Sequence, residues 1–145
     1  MKNLPNQFFY SKEEDRLNVI SHGIGFILSM IGLIFLLNKG LQDFNLLRFL
    51  SFLIYGISLS TMYIASTLYH NSKTPEGRYK FRLFDMVSIY LLIAGSYTPF
   101  TLTVLIDSGG LTLFLLVWVI AFFGIIWKIF TVGSYNISST LLYIF

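Results

Sequence analysis

The chain has 145 residues, 55% of them hydrophobic and 12% charged, with a mean hydropathy of +0.72 and a formal charge of +3. A soluble domain carries roughly 25% charged residues, so a soluble globular fold is excluded, and the absence of cysteine excludes disulfides and thiolate metal sites. A basic excess can mark a nucleic-acid binder, but these bases lie in loops beside apolar blocks, where they orient helices and meet anionic lipid. No nucleic-acid partner is expected; membrane lipids are.

Residues 1–16 are polar and mixed, with Lys2, Lys12 and Arg16 among Glu13, Glu14 and Asp15. Phe8, Phe9 and Tyr10 suit the headgroup layer, and Ser11 with Glu14 has the capping-box spacing of a helix start. The first span is 17–37, 21 residues without Asp, Glu, Lys or Arg. At 1.5 Å per residue it covers about 31 Å, enough for a hydrocarbon core of about 30 Å. It begins at Leu17 and is too long for a signal core, so it reads as a retained helix. Ser21, Gly25 and Ser29 recur every four residues, with Gly32 near the same face, a packing signal between membrane helices.

A turn over 38–47 leads to the second span, 49–69, with Arg48 placed to snorkel and Gly56 and Ser60 as a further small pair. Residues 71–82 read as a basic loop turning at Pro75-Glu76-Gly77. The third span, 83–106, holds Asp85 near its start and Pro99 inside, where the missing N–H predicts a kink. Asp107-Ser108-Gly109-Gly110 is a tight turn before the fourth span, 111–130, anchored by Trp127 and Lys128. Residues 137–145 are apolar again, too few to cross, and read as the start of a fifth span. The expected fold is one all-α domain, a polytopic transmembrane helix bundle covering 1–145.

Alternating spans put Lys2, Lys12, Arg16, Lys73, Arg78, Lys80, Arg82 and Lys128 on the N-terminal side, and Lys39 and Arg48 opposite. The positive-inside rule then places the N-terminus in the cytoplasm of a cell-membrane protein.

The chemistry-bearing residues gather on that side. Ser66 and His70 are four apart, hence on one helix face, and Asp85 opens the next helix at a similar depth. A hydroxyl, an imidazole and a carboxylate at the edge of hydrocarbon need a partner or a job. Glu14, Asn18 and His22 form an i, i+4, i+8 polar stripe, either an interfacial stripe held by water and neighbouring helices or a wall of the same pocket. Asp85 reads equally as a ligand or general base near a metal-bound water and as a helix-start carboxylate paired with Arg82. His70 reads as an interfacial imidazole or as one ligand of an incomplete site.

The stretches E-E-D-R-L-N-V-I-S-H-G, S-T-L-Y-H and F-D-M-V-S-I-Y-L-L-I-A-G-S-Y-T-P-F, in this order, resemble the hemolysin III family, bacterial relatives of the progestin and adipoQ receptors. The resemblance runs from about residue 13 to 128 and implies a seven-helix fold with the N-terminus inside. It also implies zinc near the cytoplasmic face, with His70 matching the ligand that ends the second helix. Ser66 and Asp85 match the residues that approach the metal-bound water, and Glu14, Asn18 and His22 match the first motif. The family's His-x-x-x-His in its last helix has no counterpart here, and Met86 stands where histidine is frequent. The resemblance therefore implies the N-terminal four-sevenths of a member, with part of a zinc site and no turnover of its own. Two functions follow from it: a zinc-dependent hydrolase of lipid amide or related bonds, or a non-enzymatic, pore-forming or membrane-perturbing cytolysin. A structural or regulatory membrane protein, and self-association into a homo-oligomer, stand beside them.

Overall fold

The structure, a computed structural model, describes residues 10–42 and 44–131; the apolar segment 137–145 lies outside them. Helix α1 spans Lys12–Leu41, α2 Leu46–Asn71, α3 Pro75–Pro99 and α4 Gly110–Thr131. All four, α3 together with the segment that follows it, are long and apolar enough to cross a membrane. Packing follows chain order: α1 on α2, α2 on α3, and α3 on α4. Antiparallel alternation brings the start of α1, the end of α2, the start of α3 and the end of α4 to one side.

The start of α1 is set by its cap. The Ser11 hydroxyl accepts from the Glu14 amide at 3.2 Å, and the Glu14 carboxylate accepts from the Ser11 amide at 2.9 Å. Asn45 caps α2 by accepting from the Arg48 amide at 3.1 Å. The loop expected over 71–82 is mostly helix. Thr74 accepts from the Gly77 amide at 3.2 Å and Pro75 occupies the first turn, so α3 begins eight residues before the apolar run expected from residue 83. A proline suits the first helical turn, where its missing N–H has no intrahelical partner to lose. Only residues 72–74 therefore separate α2 from α3.

The interior inverts the pattern of a soluble bundle. Buried positions include Ser29, Ser51, Ser58, Ser60, Ser66, Ser88, Thr98 and Thr101, while Leu17, Ile27, Phe35, Phe122 and Phe130 face outward. Lipid is as apolar as leucine, so small residues that let backbones approach are favoured between membrane helices. The hydroxyls are satisfied at home: Ser51 donates to the Arg48 carbonyl at 2.8 Å, Ser58 to Tyr55 at 2.8 Å and Ser88 to Asp85 at 2.7 Å. Ser29 and Ser60 meet between α1 and α2, their hydroxyls 2.9 Å apart.

Pro99 changes the helix type. Phe100–Val104 forms a π-helical segment, closed by the Leu105 amide on the Phe100 carbonyl at 2.9 Å. The Thr98 hydroxyl donates to the Ala94 carbonyl at 2.8 Å and accepts from the Trp118 indole at 3.1 Å, tying the end of α3 to α4. A 3₁₀ turn at Ile106–Ser108 follows, then Gly109 in the left-handed region at φ 86°. That conformation has no steric cost for glycine.

Candidate functional site

At the end shared by the α1 start and the α2 terminus, the charged residues meet. Arg78, in the first turns of α3, is buried and reaches across both other helices. Its Nη2 donates to Asp15 Oδ1 at 2.7 Å and Oδ2 at 2.9 Å. Its Nη1 donates to the carbonyls of Tyr69 at 3.0 Å, His70 at 3.1 Å and Ser72 at 3.5 Å. Those carbonyls lie at and just past the end of α2, where helical donors run out; that of Tyr69 also accepts from the Ser72 amide at 3.3 Å. The guanidinium also lies over the Tyr69 ring, 4.6 Å from its centroid. One side chain thus joins α1, α2 and α3.

Asp15 faces His70 as well. His70 Nδ1 lies 2.8 Å from Asp15 Oδ1, with side-chain exposures of 10% and 19%. Asp15 precedes the uncharged run that begins at Leu17. Burial works to raise its carboxyl, but hydrogen bonds and charge from Arg78 and His70 prevail and hold it below the usual carboxylate value. Asn18 Nδ2 approaches the same ring nitrogen at 3.5 Å, and the His22 ring lies parallel to that of His70, 4° between planes and 6.1 Å between centroids.

Ser66 is buried one turn before His70, near the carboxylate of Asp85 on α3. Asp85 in turn lies in the field of His70, His22 and Arg82. The structure thus brings Ser66, His70, Asp85, Asn18 and His22 together. Glu14 is elsewhere: exposed, and engaged in the helix cap. The acid on the histidine is its neighbour Asp15. Helical geometry contained that signal, since seven residues fall about 20° short of two turns and eight overshoot by about 80°. Asp15, Asn18 and His22 therefore share a face better than Glu14, Asn18 and His22. Arg78 was hidden by reading 71–82 as loop; Thr74-Pro75 is the sign of the earlier helix start.

A groove of about 360 Å³ between α1 and α2, lined by Gly25, Ser29, Gly32, Tyr55 and Tyr63, contains none of these charged groups. Tyr63 links the two regions, its ring 6.1 Å from that of His22.

Four apolar helices with a charge-compensated cluster at one end define a multi-pass membrane protein. The chain belongs to the haemolysin-III related family, whose family model matches residues 10–145. It is 42% identical over 132 residues to a Hemolysin-3 of Bacillus cereus, covering 91% of this chain and 60% of that protein. Against a Hemolysin-3 homolog of Bacillus subtilis (strain 168) it is 37% identical over 135 residues, 93% of this chain and 63% of that protein. The chain thus spans somewhat under two thirds of the length of these relatives. No solved structure matches it.

Proposed function

We propose that the cluster is the acid–base part of a membrane hydrolase site acting on lipid amide or related bonds at the cytoplasmic leaflet. The observation that supports this is the gathering of buried Ser66, Asp85 and the stacked rings of His22 and His70 at one end of the apolar helices. Asp85 acts as general base toward the attacking water, Ser66 orients that carboxylate, and His70 carries the proton to the leaving nitrogen. General acid–base groups of this kind contribute about 10²–10⁴-fold.

Zinc is the metal that the family resemblance implies. Catalytic zinc takes three protein ligands and a water, and among the described residues no group of three or more His, Cys, Asp or Glu is placed to hold a metal ion. These residues do not fit the ion by themselves, and no step here passes through it. Metal analysis of the purified chain in mild detergent is expected to find well below one zinc per chain. A value near one, abolished by His70→Ala, would show instead that donors come from a second copy.

The names of the relatives favour a second reading, a protein that perturbs membranes. Release of labelled fatty acid from an N-acyl lipid in proteoliposomes separates the two. On the hydrolase reading, turnover by the chain falls about 10²-fold or more in Asp85→Asn and Ser66→Ala. No turnover, with red-cell lysis that Asp85→Asn leaves intact, would establish the membrane-perturbing reading.

The orientation is part of the proposal, with the N-terminus in the cytoplasm. A cysteine replacing exposed Ser108 is expected to react with an impermeant maleimide on intact cells, and one replacing exposed Lys73 to react only after lysis. The opposite labelling reverses the topology.

A further inference from the structure

An ionised carboxylate accepts hydrogen bonds and donates none. Asp15 is held ionised by two donations from Arg78, at 2.7 and 2.9 Å, so the ring nitrogen 2.8 Å from its Oδ1 must carry the hydrogen. Which nitrogen of a histidine is protonated is set by the bond the other one makes. A neutral His70 with its proton on Nδ1 has its lone pair on Nε2. Asn18 competes for the same nitrogen from 3.5 Å, and its amide N–H could engage Nδ1 only if that nitrogen carried no hydrogen.

We infer that Asp15 is a positioning residue for His70: anchored by Arg78, it selects the Nδ1–H tautomer and leaves Nε2 as the working nitrogen. The inference rests on the reading that His70 works in the site, and it supplies what that reading lacked, the reason one particular nitrogen is available. Carboxylate–histidine pairs in which the acid fixes the tautomer and raises the basicity of the far nitrogen are a general device for ligands and bases alike. Here the acid is itself fixed by a buried guanidinium whose other amino group is spent on the end of α2. Ring orientation, tautomer and helix end are thereby held by one network.

The test is nitrogen NMR on the full chain, labelled in histidine and reconstituted in lipid nanodiscs at about pH 8.5, where an ordinary imidazole is neutral. The chain has two histidines, so a His70→Gln spectrum identifies the His70 signals. The wild-type spectrum is expected to show hydrogen on Nδ1 and a bare Nε2. In Asp15→Ala the hydrogen moves to Nε2, as the Asn18 amide takes over Nδ1, and Asp15→Glu restores the original pattern. Asp15→Asn, of equal size, serves where alanine compromises folding, and is expected to lose the predominance of Nδ1–H.

A wild-type ring protonated on Nε2, or on both nitrogens, overturns the inference without any variant. So does an Nδ1–H signal unchanged in a folded Asp15→Ala protein. The readout uses no substrate, so it stands or falls separately from lipid hydrolysis. Tautomer control without turnover would sink the hydrolase reading and leave this one; turnover with the wrong tautomer would do the reverse.

Discussion

Replacing Arg78 with alanine is expected to cost about 3–5 kcal/mol, the usual consequence of removing one partner from a buried ion pair. The substitution takes two hydrogen bonds from Asp15 and strips the carbonyls of Tyr69, His70 and Ser72 of a shared donor. It also leaves a space inside the protein, since Arg78 is buried. Lysine carries the charge but cannot fork between a carboxylate and three carbonyls, so Arg78→Lys should recover only part of the loss. Unfolding in mild detergent, followed by circular dichroism, measures both. A double variant, Asp15→Leu with Arg78→Met, should lose less than the two single changes together, because no charge is then left behind. An Arg78→Ala protein that unfolds like the wild type would remove Arg78 as the joint of the three helices.

The second large effect concerns glycine. A Cβ at Gly95 would meet the side chain of Ser58, with the Ser58 Cβ only 2.8 Å away, where α2 and α3 press together. Gly95→Leu is therefore expected to cost about 1–3 kcal/mol or more through overpacking, and to cut the yield of folded protein. Gly32 has nothing within 4 Å of the same position. Gly32→Ala should stay within about 1 kcal/mol of wild type, on the stabilising side, because alanine is the better helix former. Equal losses at the two positions would show that the close approach of α2 and α3 is not what Gly95 provides.

These glycines show how far the sequence reads. Its four-residue stripe of Ser21, Gly25, Ser29 and Gly32 announced a packing face on α1. In the structure Gly25 lies under the Tyr63 ring and Ser29 bonds Ser60, whereas a Cβ at Gly32 would meet nothing within 4 Å and the exposed Ser21 donates to the Asn18 carbonyl of its own helix. Periodicity assigns residues to a face, but the neighbouring helix decides which of them it touches. Met86 and Arg82 illustrate the same limit. Local sequence places both beside Asp85, yet the α2 side chain brought near its carboxylate is Ser66, 19 positions earlier.

Four apolar runs, the capping box at Ser11 and the interruption of the α-helix at Pro99 were determined by sequence alone, because hydrophobic length, local capping bonds and a missing N–H act within a few residues. So was the meeting of Ser66 and His70, one helical turn apart. The pairing of Asp15 with Arg78 and His70 was decided by tertiary structure. Those residues are separated by 63 and 55 positions, and what joins them is the burial of an arginine whose charge could not stay there uncompensated. A basic residue beside a proline looks like solvent-exposed loop until the early start of α3 carries it between two other helices. The position of α2 likewise made Asp15, the neighbour of the capping Glu14, the acid of the cluster.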